Sequence, residues 1–308
     1  MADLLDDAPA LSAASPAVGE LDSAGPPPVP DVEERARVLL AAYPVVEGYA
    51  HLSEIPDPED LPPLRAPEVA AQFWSLHPEP GEDPVVETLR RIDTVRTLVA
   101  ACPEDLRMAR TTTEIDDARN CGRIAALLGP ASAVALGGSL ATLRAYHELG
   151  VRAITLTGFD RFTHQAVREM NRLGVLVDLS GAAPDTLRSA LGTTKAPVLL
   201  TRAEPTALPD DVLGLLGENG GVCMVPLTDG VAATADALDR LRTLAGPRSV
   251  GLSHSPAPHT GYPALVAELL RRGWEEADVQ ALTGGNVARV LRESEFHSRA
   301  KRLRRPPA

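Results

Sequence analysis

A (β/α)8 barrel of the TIM type, in the α/β class, is the fold this sequence predicts, on three observations. Eight short apolar runs occur along the chain, at 45–52, 71–76, 123–128, 153–157, 175–179, 198–201, 222–227 and 249–253. Helical patterns separate most of them, and a strand–helix alternation of this kind builds a parallel sheet. The runs are continuously apolar rather than alternating, as strands covered on both faces must be. A doubly wound open sheet has the same periodicity and is the second architecture these observations allow.

The clearest unit runs from Gly174 to Leu216. A strand at 175–179 follows a glycine, a helix spans 185–191, a strand spans 196–200, and Pro209-Asp210-Asp211 opens the next helix. Two parallel strands joined by such a crossover form a βαβ unit, and barrels of this kind keep their chemistry at the strand C-termini. Here those ends carry Ser180-Gly181-Ala182 and Thr201-Arg202-Ala203.

The remaining elements follow in order. Residues 1–31 are rich in Ala, Pro, Ser and Asp, a composition that buries too little apolar surface to fold, and they predict a disordered tail. Asp31 caps a helix through Ala42 with Val38, Leu39 and Ala42 on one face. In 84–101, Val85, Leu89, Ile92, Val95 and Val99 recur at helical spacing. Ser139 caps a helix carrying Leu140, Leu143, Tyr146 and Leu149, which Gly150 ends. Helices at 161–173, 232–245 and 262–272 each stop at a glycine, and the last helix is expected over 275–293. The folded domain is 32–296. Beyond it, 297–308 is a basic tail with Arg299, Lys301, Arg302, Arg304 and Arg305, which suits an acidic partner protein.

Composition narrows the function. Only 3% of the 308 residues are aromatic while 44% are hydrophobic, so Ala, Val and Leu must fill the interior. The formal charge of −12 argues against a nucleic-acid partner. Cys102, Cys121 and Cys223 show no CxxC spacing and read as small core residues, not as a disulfide framework or a zinc set. The first residues carry acids where a secretion signal needs bases, and no apolar run approaches a membrane span, so a cytoplasmic location is expected.

Motifs for common chemistries are missing: there is no GxSxG, P-loop or HExxH. Gly137-Gly138-Ser139 precedes a helix and reads as a turn, with an anion cradle as the alternative. His51 reads as a strand-end histidine, or as a relic ligand. His254 and His259 invite a metal site, but no carboxylate stands at fixed spacing with them, and Pro256 and Pro258 disrupt helical placement. His77, His147, His164 and His297 fall on loops or helices, and Trp74 and Trp274 are expected to pack. Thr201, the one hydroxyl at the end of the sixth strand run, has no histidine near it in sequence to act as a base.

Several stretches occur in an order that resembles the renal (membrane) dipeptidase family, zinc metallopeptidases on a (β/α)8 barrel. They include AQFWSL at 71–76, SLATLRAYHELGVRAITLT at 139–157, REMNRLGVLVDLS at 168–180, LPDDVL at 208–213 and GGNVARVL at 284–291. The resemblance covers 32–293 and implies the metal-dependent hydrolase type of barrel. It also implies a dipeptide-like small ligand and a homodimer. In that family two zinc ions sit on an HxD motif, a bridging Glu and two later histidines. Carried over position by position, the resemblance sets Tyr49 and His51 at the HxD residues, Ala131 at or near the bridging Glu, and Gly181 and Arg202 at the two histidines. The family's acid after the eighth strand falls near Ser255. Its substrate-binding Arg has no counterpart in the short 204–208 segment, and the loop after the fourth strand shrinks to Gly158-Phe159-Asp160.

Zinc takes lone pairs from imidazole, thiolate or carboxylate. Glycine and alanine offer none, and arginine stays protonated. The expectation is therefore a barrel without metal or other cofactor: a non-hydrolytic homologue acting as a small-ligand-binding or scaffold protein. The ligand candidates at the mouth are Glu47, Tyr49, His51, Asp178, Arg202 and His254, with Arg202 expected to join Glu47 and Asp178 in a charge-assisted network in place of the metal. The alternatives are an active dipeptidase with a rebuilt metal site and a metal-independent enzyme.

Overall fold

The structure, a computed structural model, describes residues 31–50, 67–79, 81–227, 230–255 and 258–303. The expected N-terminal tail, His51, Arg304 and Arg305 lie outside these residues, as does the side chain of His259.

Ten strands form among the described residues: β1 Val45–Ala50, β2 Val69–Trp74, β3 Leu106–Met108, β4 Ile124–Leu128, β5 Ala131–Ser132, β6 Ala153–Thr155, β7 Leu176–Asp178, β8 Leu199–Leu200, β9 Val222–Val225 and β10 Val250–Leu252. The helices are α1 Val32–Ala42, α2 Pro84–Ala101, α3 Thr112–Asn120, α4 Leu140–Glu148, α5 Arg161–Leu173, α6 Pro184–Thr193, α7 Asp210–Asn219, α8 Val231–Ala245, α9 Pro258–Arg271, α10 Glu276–Gln280 and α11 Asn286–Leu303. Each of the eight expected runs yields one strand. The short strands β3 and β5 add to them.

All pairings are parallel, in two sheets of order β1-β2-β4-β3 and β10-β9-β8-β7-β6-β5. The sheets meet at two seams. Leu128 bridges Val151, and the Arg152 N–H donates to Leu128 O at 2.9 Å. At the other seam the Tyr49 N–H donates to Ser253 O at 3.1 Å. Single links replace a ladder at these seams, and the architecture is TIM-barrel-like.

Two hydrophobic clusters explain why the strand runs are mainly apolar. Val46, Leu127, Leu176 and Leu199 belong to an inner cluster that also holds Phe73 and Met224. Their immediate neighbours Val45, Leu128, Val177 and Leu200 belong to an outer cluster shared with the helices. Successive strand side chains point to opposite faces, so a strand covered on both sides favours apolar residues at successive positions. Val287, Val290 and Leu291 at the start of α11 join the inner cluster. Space inside is tight: a Cβ on Gly48 would lie 2.5 Å from Thr201 O and 2.6 Å from Met224 Sδ.

Some helix faces differ from the expected ones. In α1 the buried residues are Ala36, Leu39 and Leu40, and Val38 is 60% exposed. The buried face is set by the seat on α9, which selects residues three and four apart starting from Ala36. In α2 the burial runs through Ile92, Val95, Leu98 and Val99, while Leu89 stays exposed. The last helix extends past Glu293 to Leu303, with the Ser298 hydroxyl donating to Arg172 O, so Arg299, Lys301 and Arg302 are helical. Of the cysteines only Cys223 is a core residue; Cys121 is exposed and Cys102 half-buried. Ser139 caps α4 by accepting from the Ala141 N–H, and Gly137 and Gly138 have positive φ, which supports the turn reading of that stretch. Trp74 and Trp274 pack as expected, the latter donating to Asp239.

Candidate functional site at the barrel mouth

The site begins with an irregularity in β1. Glu47 faces Gln72 and Ala50 faces Trp74, so one extra residue is inserted on β1 between these pairs. Such a bulge re-aims the side chains it carries. It separates two roles on one short strand: Glu47 stays sealed in the wall, whereas Tyr49 lines the mouth.

Glu47 is 2% exposed. The Tyr262 hydroxyl donates to its Oε1 at 2.5 Å, and Gln72 Nε2 donates to its Oε2 at 2.6 Å. Burial raises its pKa from 4.5 to about 7, against the opposing pull of the Tyr262, Gln72 and Ser255 hydrogen bonds. The same contact pushes the Tyr262 phenol well above its ordinary range, first through burial and then through the neighbouring carboxylate.

Asp178, at the end of β7, is fully buried. Its Oδ2 accepts from the Thr155 hydroxyl at 2.6 Å. Its Oδ1 accepts from the Ser180 hydroxyl at 2.7 Å, the Thr201 N–H at 2.8 Å and the Thr201 hydroxyl at 3.1 Å. One carboxylate thus ties together the C-terminal ends of β6, β7 and β8. Ser180 carries the link outward, because its Oγ accepts from the Arg202 N–H at 3.1 Å.

Arg202 itself is exposed, with its guanidinium carbon 4.8 Å from the centre of the Tyr49 ring. It makes no ion pair with Glu47 or Asp178, so the expected charge-assisted network does not form. Both acids are already satisfied by neutral donors inside the wall, and drawing a guanidinium in would strip its water without freeing an acceptor. Arg202 and Tyr49 line a cleft of about 650 Å³ at the strand ends, together with Gly181, Glu204, His254 and a set of aliphatic side chains. The structure therefore brings three of the six candidates together, Tyr49, Arg202 and His254. Glu47 and Asp178 are held apart as wall residues, and His51 is not among the described residues. Ala131 is fully buried beside β6, to which β5 pairs. Sequence reasoning missed Gln72, Thr155 and Tyr262. Tyr262 lies 215 positions from Glu47 and carries no motif that could have signalled the contact.

Over residues 34–163 and 157–305 the chain matches the family described as membrane dipeptidase, peptidase family M19. The chain belongs to the membrane dipeptidase family. Dipeptidase 3 of Mus musculus is 31% identical over 336 aligned positions, covering 86% of this chain and 67% of the mouse protein. Among solved structures, the probable dipeptidase PvdM from Pseudomonas aeruginosa superposes with a TM-score of 0.76 at 17% identity, covering 86% of this chain and 99% of that one. A metallo peptidase from Rhodobacter sphaeroides, liganded with a phosphinate mimic of the dipeptide L-Ala-D-Ala, gives 0.72 at 17% identity, with 82% and 99% covered. At such identities the two structures establish the shared fold. Among the described residues of this dipeptidase-family chain, no helix is long and apolar enough to cross a membrane.

Proposed function

We propose that this member of the membrane dipeptidase family does not hydrolyse peptides and instead holds a small polar, dipeptide-like ligand at its barrel mouth. The observation that carries the reading is the lining of the mouth cleft: Tyr49, Gly181 and Arg202 stand together where the family resemblance sets metal ligands. The donor set does not fit a pair of zinc ions. Gly181 and Ala131 supply no lone pair, and Arg202 supplies a fixed positive charge. Two unit charges about 4 Å apart repel by about 4 kcal/mol even at an effective dielectric near 20, so the guanidinium opposes a cation beside it. Without metal, no water of lowered pKa attacks a peptide bond. A homodimer and a cytoplasmic location, implied by the resemblance and by composition, belong to the same proposal.

The test is dipeptide hydrolysis with and without added zinc, beside metal analysis of untagged protein. The expected result is no turnover above the zinc blank and no stoichiometric metal. Hydrolysis that a chelator abolishes would overturn the proposal. It would favour the second reading, an active dipeptidase with a rebuilt site, for which the presence of His254 in the same cleft is the supporting observation.

A further inference from the structure

The mouth cleft has aliphatic walls, with Ala203, Ala207 and Leu208 partly exposed on it, and two oppositely charged groups, Arg202 and Glu204. Elsewhere in the described chain, arginine head groups commonly end on carboxylates: Arg91 on Glu79 and Glu87, Arg172 on Glu169, Arg272 on Asp236 and Asp239. Arg202 does not. Its guanidinium rests over Tyr49, a contact that answers part of its charge and none of its five N–H donors. Its backbone is nonetheless fixed, through the Ser180 hydroxyl, to the fully buried carboxylate of Asp178. Arg202 is thus a cation on an anchored base, stacked on a ring and beside an apolar wall, with no acid paired to it among the described residues.

We infer that the mouth takes a small monocarboxylate with an aliphatic body, its carboxylate paired with the Arg202 guanidinium and its body against Ala203, Ala207 and Leu208. The inference rests on the ligand-binding reading above and names the chemical class of that ligand. The planar fork of a guanidinium matches a carboxylate through two parallel hydrogen bonds. Glu204, two residues on and exposed on the same cleft, repels a second anionic group, so dicarboxylates are disfavoured. Ser180 and Asp178 are positioning residues: they hold the chain from which the arginine projects.

The experiment is calorimetric titration of the full chain near neutral pH with four probes: 4-methylpentanoate, 4-methylpentanamide, 3-methylbutylamine and hexanedioate. The acid is expected to bind at least about tenfold more tightly than the amide, equal to about 1.4 kcal/mol, and more tightly than the amine or the diacid. Arg202→Gln, a surface change that leaves the fold intact by circular dichroism, should erase the acid-over-amide ratio. Tyr49→Phe should keep the ratio, Tyr49→Leu should lower it, and Ser180→Ala should lower it without changing amide affinity. Equal affinity for acid and amide, preference for the amine, an unchanged ratio in Arg202→Gln, or binding by none of the probes would each overturn the inference. The hydrolysis assay above decides the underlying reading separately, since zinc-dependent turnover sinks that reading whichever probe binds.

Discussion

Replacing Glu47 by Gln should change how stability depends on pH. Burial lifts the native-state pKa of Glu47 from 4.5 to about 7. Between those values the native protein keeps a proton that the unfolded chain has lost, so folding is favoured at the acid end and stability falls as pH rises. The contribution is complete below about pH 4.5 and gone above about pH 7. At 1.36 kcal/mol per pH unit the interval corresponds to about 3 kcal/mol, an order-of-magnitude figure for a carboxyl that is 2% exposed. Glutamine is neutral throughout and nearly the same shape, and Gln72 can turn its amide oxygen toward the new NH2 group. The assay is urea unfolding of both proteins at pH 5 and pH 8, compared as a difference of differences so that other titrating groups cancel. Native protein should lose about 2.5 kcal/mol more than Glu47→Gln between the two conditions, since pH 5 already lies inside the window. Parallel pH profiles for the two proteins would refute the assignment of a protonated wall carboxyl.

Other outcomes follow from the same packing. Asp178→Ala strands the buried Thr155 hydroxyl and Thr201 N–H and removes one partner of the half-buried Ser180 hydroxyl, and should cost about 3 kcal/mol or more in urea unfolding; a loss below about 1 kcal/mol would mean water replaces the carboxylate. Gly48→Ala forces a methyl to within 2.5 Å of Thr201 O, and should lower stability by about 1–3 kcal/mol or abolish soluble expression. Glu169, whose pKa the hydrogen bond from Arg172 and then that from Arg144 pull down to about 2 against burial, stabilises the fold above pH 4.5 and ceases to as pH falls toward 2. Glu169→Gln should therefore lower the urea midpoint at pH 7 and leave it little changed near pH 2; an equal loss at both would argue for a packing role.

The barrel was legible because its strands are covered on both faces, which writes a mainly apolar run at each of the eight positions. The pairs Val45–Val46 and Leu199–Leu200 show why, one residue facing in and the next facing out. β3 and β5 were not legible, because Arg107 interrupts the apolar residues of β3 and β5 is two residues set off by Gly129-Pro130. The Asp178 node was half visible: the acid and Ser180 stand two residues apart at a strand end, whereas Thr155 and Thr201 arrive only when neighbouring strands pair. The bulge in β1 had one signal, Gly48 inside the apolar run, which went unread, and it decides that Glu47 and Tyr49 serve different places. The direction of Arg202 was misjudged for a related reason. Position along the chain fixes where a long side chain starts, and competition between water, acids and rings fixes where it ends.

The helix formed by residues 286–303 supplies Val287, Val290 and Leu291 to the inner cluster, alongside Val46 from the first strand. The earliest-made staves of the cask thus wait for a stopper that leaves the ribosome some 240 residues later. Until it seats, water reaches the lower end of the oil-filled centre, and nascent chains halted before residue 286 should be holdase clients and easy prey for proteases.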